Sequence, residues 1–249
     1  MEEAIKQFEK FTNSYKQYGD PITLKIKHTR RVTKITEEIV KSLKLNEEEK
    51  EIAELCGLLH DIGRFEQYKE YKTYDDQKSL DHGDLGYKIL KEKDYLSVYT
   101  TNEKYKESLL KSVKYHNKYR ISKNLSKQDK LFCNIARDAD KLDILYLYVN
   151  GTFKVNSEGK KIGKEAMTAL RNHESVVIKN GHNKADFLSV CLGFTFDFNF
   201  RYSFESLKKK NTMNIIIDKM KEKGSLEFQK QLEEIRTIIN NYIEERLSC

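Results

Sequence analysis

Apolar positions recur at three- and four-residue steps along most of the chain, the period of helices that bury one side. From Ile22 to Leu43 the stripe runs through Leu24, His28, Val32, Ile35, Ile39 and Leu43, which puts a histidine on the buried side of a predicted helix. A shorter helix over 2–17 precedes it, with Ile5, Phe8 and Tyr15 on one side and a stop at Gly19-Asp20-Pro21. Asn46-Glu47-Glu48-Glu49 has the form of a capping box. The helix it opens carries Ile52, Ala53, Leu55, Cys56 and Leu59, and delivers His60-Asp61 at its end, where Gly63 permits a turn. Residues 66–79 are polar and rich in tyrosine and read as a surface loop or a broken helix. Helices follow over 80–93, with His82 in register with Leu85, Gly86, Ile89 and Leu90, and over 103–118, with Leu109, Val113 and His116 aligned. Ser126 and Asp129 then cap 127–149, a stretch apolar almost all round and therefore central.

Beyond residue 150 the pattern weakens. A polar stretch over 150–164 reads as a loop, and 164–180, 182–206 and 225–247 read as helices. Phe194, Phe196, Phe198, Phe200 and Tyr202 alternate with the period of a strand, but a lone strand has no partner, so the helix is preferred. The expected architecture is all-α: one domain over 1–249, with a core at about 20–150 and a C-terminal helical extension at about 160–249. One proline, eleven glycines and 34% charged residues suit it. The net charge of +7 is spread over alternating Lys and Glu with no compact basic block, so it reads as a solvated surface and not as a nucleic-acid interface. Cys56, Cys133, Cys191 and Cys249 lie far apart, without the paired spacing of zinc or redox motifs, and are expected as free thiols of a reducing compartment. The N-terminus has no basic stretch followed by an apolar core, and no run approaches the ~18 apolar residues of a membrane helix. A cytoplasmic protein with no membrane contact is the expectation.

Candidate chemistry sharpens that picture. A lone histidine on an apolar stripe is ordinarily a hydrogen-bonded core residue. Here His28, His60, His82 and His116 all sit on or near such stripes, with Asp61 beside one of them. Aspartates in the middle of an apolar helix (Asp138, Asp140, Asp143) are costly to bury without a cation or hydrogen-bond partners, and helical period alone admits Asp138 or Asp140. Four imidazoles and two carboxylates suit two ions better than one, with Asp61 the natural bridge. A bridged pair about 3.5–4 Å apart activates water and clamps the oxygens of a phosphoryl group. Imidazole-rich donor sets favour Fe, Mn, Co, Ni or Zn over magnesium.

His28, the pair His60-Asp61 and the run Asp140-Lys141-Leu142-Asp143 resemble the signature of the HD-domain superfamily of metal-dependent phosphohydrolases, over about residues 20–150. His82 and His116 resemble its dinuclear branch, which includes diadenosine tetraphosphate hydrolases, cyclic-dinucleotide phosphodiesterases and mixed-valent di-iron oxygenases. The resemblance implies a helical bundle and metal contacts from His28, His60, Asp61 and Asp140, with His82 and His116 completing a second ion. It implies that Arg64, which follows His-Asp-x-Gly, meets a substrate phosphate; an ion pair to a nearby acid such as Asp143 is its plainer role. Asn117, Lys118 and Arg120 follow the last histidine and are candidates to line the pocket, with solvated surface the plainer role for Lys118 and Arg120. The Gly-Tyr-Pro signature of cyclic-di-GMP phosphodiesterases is missing, and His173 and His182 match nothing and read as surface. The expected function is hydrolysis of a phosphate ester or anhydride of a small nucleotide or phosphorylated metabolite, with Asp61 and Arg64 in the chemistry. The rivals are a di-iron oxygenase of the same fold and a non-catalytic metal-binding module.

Overall fold

Up to residue 149 the expected helices are present, with ends set by caps more than by the hydrophobic stripes. In the computed structural model, which describes residues 1–158, 160–178, 182–222 and 224–248, every regular element among the described residues is helical. The first seven α-helices are α1 (Glu2–Asn13), α2 (Asp20–Lys41), α3 (Glu47–Leu59), α4 (Ile62–Tyr71), α5 (His82–Lys91), α6 (Lys106–Tyr115) and α7 (Lys127–Val149). Both capping boxes form. Asn46 Oδ1 accepts from the Glu49 amide at 2.9 Å while Glu49 Oε2 accepts from the Asn46 amide at 3.2 Å. Ser126 and Asp129 exchange the same pair of bonds at the start of α7. Each box satisfies two of the amides that a helix start leaves without a partner.

The chain divides into two compact units, Met1–Asp140 and Lys141–Cys249, the division falling within α7. In the first, α2 packs on α3, α5 lies against both α4 and α6, and α3 also touches α6. Its core gathers Ile22, Val32, Ile39, Ile52, Leu55, Leu59, Ile62, Phe65, Leu109, Val113, Phe132 and Ile135, all essentially inaccessible. In the second, α8 (Lys164–Arg171), α9 (Lys184–Gly193), α10 (Arg201–Lys209), α11 (Thr212–Lys221) and α12 (Leu226–Ser248) follow. There α12 buries Phe228, Leu232, Ile235, Ile239 and Ile243 along one face, against α8, α10 and α11. None of the described helices is long and apolar enough to cross a membrane. Cys56, Cys133 and Cys191 are buried free thiols; Cys249 lies outside the described residues.

Several expectations change. The first helix stops at Asn13 and a separate turn covers Lys16–Tyr18. The helix expected over 164–180 ends at Arg171, and residues 179 and 180 lie outside the described residues. The alternating phenylalanines form neither a helix nor a strand: Phe194–Asp197 is a 3-10 turn, Phe198 and Phe200 are extended, and α10 starts at Arg201. Burial explains this, because the break turns Phe198 and Phe204 edge-to-face into the core of this unit. Residues 66–71 continue α4 and bury Gln67, so the polar loop begins only after Tyr71.

Gly63 is not in a turn but inside α4. A Cβ there would stand 2.2 Å from the His82 carbonyl oxygen and 2.6 Å from the Gly86 amide nitrogen, so α4 and α5 touch backbone to backbone. That contact seats His82 beside Asp61. Backbone cannot swing aside as a side chain can, so Gly63→Ala should destabilise the protein by at least about 1–3 kcal/mol, the usual cost of overpacking. Denaturant midpoints measure this, and a variant as stable as wild type would contradict the close contact.

Candidate metal centre

Helix termini and one kink position the donors. His60 is the residue that caps the C-terminus of α3 and Asp61 the one that starts α4, so the pair sits at the kink between them. His82 opens α5, where Asp81 Oδ1 accepts the Asp84 amide as N-cap. His116 follows the last residue of α6, whose end is held by Arg137 of α7: its Nη1 donates to the carbonyls of Tyr115 at 3.0 Å, His116 at 3.2 Å and Lys118. A buried guanidinium thereby satisfies carbonyls that a helix end leaves open. His28 lies mid-way along α2 and Asp140 on α7.

These residues converge. Asp61 Oδ2 lies 3.3 Å from His28 Nε2 and 3.5 Å from His60 Nε2, and those two nitrogens are 3.3 Å apart. Asp140 Oδ1 completes this group at 3.2 Å from His28 Nε2 and 3.8 Å from His60 Nε2. The other oxygen of Asp61, Oδ1, faces a second group, 3.4 Å from His82 Nε2 and 3.6 Å from His116 Nε2, with those nitrogens 3.0 Å apart. The four histidines and Asp61 are buried. Of the two aspartates that helical period left open, Asp140 reaches the histidines, at 3.2 Å from His28 and 3.8 Å from His60, and Asp138 is fully buried.

Proton positions decide what such a cluster can do. The Nδ1–H of His60 donates to the Gly57 carbonyl at 2.8 Å, that of His116 to the Val113 carbonyl at 2.7 Å, and that of His82 to Asp76 Oδ2 at 2.7 Å. Carbonyl and carboxylate oxygens only accept, so each Nδ1 holds the proton and each Nε2 turns a lone pair into the cluster. Lone pairs meeting lone pairs at 3.0–3.6 Å repel unless a cation lies among them. Donors about 2.0–2.2 Å from one transition-metal ion are themselves about 3–4 Å apart. His28, His60 and Asp61 form one group that could hold an ion, and Asp61, His82 and His116 form another. The donor set therefore fits divalent transition-metal ions.

Electrostatics agree. Burial alone would raise the Asp61 pKa, yet it is held well below the usual carboxylate range, foremost by the Lys25 ammonium 2.6 Å from Oδ2. Asp140 is held low against the same penalty, chiefly by His28 and His60. Burial pushes His82 down to about 4 despite its bond to Asp76, and His116 also falls on burial. Carboxylates kept ionised beside imidazoles kept neutral are the protonation states that ligands require.

Arg64 lies beside the cluster with its Nε 3.6 Å from Asp61 Oδ1, but its Nη1 donates to Gln67 Oε1, the Tyr74 carbonyl and Asp76 Oδ1. The nearby acid it meets through Nη1 is Asp76. Asn117 stands behind His82, with Nδ2 3.3 Å from the ring Nδ1 and 3.1 Å from Asp81 Oδ2. Lys118 turns to Asp81 and Asp84, at 2.7 Å from each. His173 is exposed and stacks on Phe196.

Two residues that the sequence reading passed over reach the cluster. Lys25 Nζ lies 2.6 Å from Asp61 Oδ2, and its only sequence signal is a position three residues, nearly one turn, before His28. Asp76 binds His82 from within the segment read as a loop; the signal that could have found it is the general need of a ligating histidine for an acceptor at its other nitrogen.

A model of the HD domain family matches residues 26–145, a span that includes all six donors. No curated protein and no solved structure matches the chain.

His82 gives the centre a pH signature. Its pKa falls from an ordinary value of about 6.5 to about 4 on folding, so the unfolded chain binds the extra proton first. The stabilisation is complete above about pH 6.5 and is lost as pH falls towards 4. Chelator-stripped protein should melt at a lower temperature at about pH 5 than at about pH 7, and the difference should shrink in His82→Asn. Equal pH dependence in the two proteins would count against a buried neutral His82.

Proposed function

We propose that this chain, whose residues 26–145 belong to the HD-domain family, is a metal-dependent phosphohydrolase cleaving a phosphate ester or anhydride of a small nucleotide or phosphorylated metabolite. The observation that carries the reading is the divided Asp61 carboxylate, with Oδ2 turned to His28 and His60 and Oδ1 to His82 and His116. In this reading His28, His60, Asp61 and Asp140 hold one divalent transition-metal ion, and Asp61, His82 and His116 hold the second. Two such ions, when bound, activate a water molecule and neutralise charge on the attacked phosphoryl group.

The remaining work belongs to side chains of this protein. Burial of His60, His82, His116 and Asp61 keeps bulk water off one side of the centre, so that fixed charges act at low dielectric. The open edge carries Lys25, Arg64 and Asp140, whose side chains are 20%, 15% and 17% exposed. Lys25 and Arg64 flank opposite oxygens of Asp61 and draw a phosphate to that edge. With Nη1 committed to three acceptors, Arg64 has only Nε and Nη2 left to offer a phosphate. Asn117 steadies the acids behind His82, its Nδ2 donating to Asp81 Oδ2 at 3.1 Å and to Asp76 Oδ2 at 3.4 Å. A covalent route through a thiolate has no candidate among the described cysteines: burial pushes the Cys133 thiol up to about 12 and Cys56 and Cys191 higher still.

The test is phosphate release from a panel of nucleotides and sugar phosphates with added Mn, Fe(II), Co or Ni. Wild-type protein should show metal-dependent release that Asp61→Ala loses entirely. Lys25→Met should remove one charge-assisted contact of about 1.5–3 kcal/mol and raise KM about ten- to a hundredfold. Two ions bound per chain with no release from any phosphorylated substrate would sink the hydrolase reading.

A further inference from the structure

Asp76 stands on the far side of the His82 ring from the donor cluster and belongs to no motif in the sequence. It lies in the turn Asp76–Lys78 between α4 and α5, and its two oxygens answer to different neighbours. Oδ1 accepts from Arg64 Nη1 and from Gln67 Nε2, both at 2.8 Å. Neither can reverse its role. A guanidinium only donates. The Gln67 amide is fixed because its Nε2 also donates to the Leu80 carbonyl at 2.8 Å, while its Oε1 accepts from Arg64. Oδ2 accepts from His82 Nδ1 at 2.7 Å and, at the longer distance of 3.4 Å, from Asn117 Nδ2.

From this we infer that Asp76 is the positioning residue that sets the His82 tautomer, and with it the occupancy of the Asp61–His82–His116 group alone; the inference rests on the two-ion reading above. Because both Asp76 oxygens accept, the His82 proton must sit on Nδ1, and Nε2 keeps its lone pair for the cluster. His60 and His116 take the same tautomer from the backbone carbonyls of Gly57 and Val113, which no side-chain change alters. His82 is the one of these three whose tautomer depends on a side chain.

The arrangement gives an unusual ranking of variants. Asp76→Asn preserves size and shape, and its amide oxygen must take the Oδ1 place, where two fixed donors wait. Its amide nitrogen then faces His82 Nδ1 and needs an acceptor there. The proton moves to Nε2, which aims it into the cluster and blocks that donor. Asp76→Ala removes the conflict and leaves His82 free to take either tautomer. The near-isosteric change is therefore the more harmful one for the second ion.

The experiment pairs nitrogen-15 NMR of histidine-labelled, chelator-stripped protein with equilibrium dialysis against Mn(II). Wild type should keep His82 Nε2 unprotonated and bind two ions. In Asp76→Asn the proton should appear on Nε2, with the second ion weakened about ten- to a hundredfold or more and the first retained. Asp76→Ala should lose less. Retention of the first ion also reports that the variant is folded. An unchanged tautomer in Asp76→Asn, or both ions weakened together and more by Ala than by Asn, would overturn the assignment. Wild-type protein that takes one ion would end the two-ion reading, while the tautomer still judges Asp76 by itself.

Discussion

Lone pairs and negative oxygens aimed at common points inside a folded chain repel one another, and the first unit of this protein is arranged around that repulsion. Four imidazoles and two carboxylates meet within hydrogen-bonding distances, and among the described residues nearly every surrounding contact either offsets their charge or fixes their orientation. Lys25 sits on one oxygen of Asp61 and Arg64 stands near the other. Burying such a set without compensation would cost several kcal/mol per charge. A cation held among these donors would offset that cost.

Most of this was legible in the residues. Period alone put His28, His82 and His116 on buried sides of helices, and all three are buried. Asn46 and Glu49, Ser126 and Asp129 named the starts of α3 and α7 because capping is local: donor and acceptor lie three residues apart. What stayed hidden was contact between distant segments. Nothing near Gly63 says that a carbonyl from residue 82 will press against it, so a turn was the natural local reading. Lys25 and Asp76 escaped for the same reason, since each matters only through a partner six or more residues away. Helical period could not single out Asp140, which stands 3.2 Å from His28 and 3.8 Å from His60.

The alternating phenylalanines fail differently. Their period is real, but period records which side chains want burial and not which backbone delivers them. A 3-10 turn, a short extended stretch and a new helix place Phe198 and Phe204 inside as well as a strand would. Short apolar runs carry that ambiguity wherever no cap marks their ends.

His60 and Asp61 are neighbours in the chain, whereas their partners arrive from 32 residues earlier and, for the His82–His116 pair, across a further 34-residue separation. An unfolded chain keeps only the adjacent pair together and loses the rest of the cage. An ion seated there would thus behave as a removable cross-link, closing several long loops of the denatured ensemble at once. By mass action, an ion at a thousand times its dissociation constant adds about 4 kcal/mol to the folded state. Supply of the metal would then set how long the polypeptide survives proteolysis.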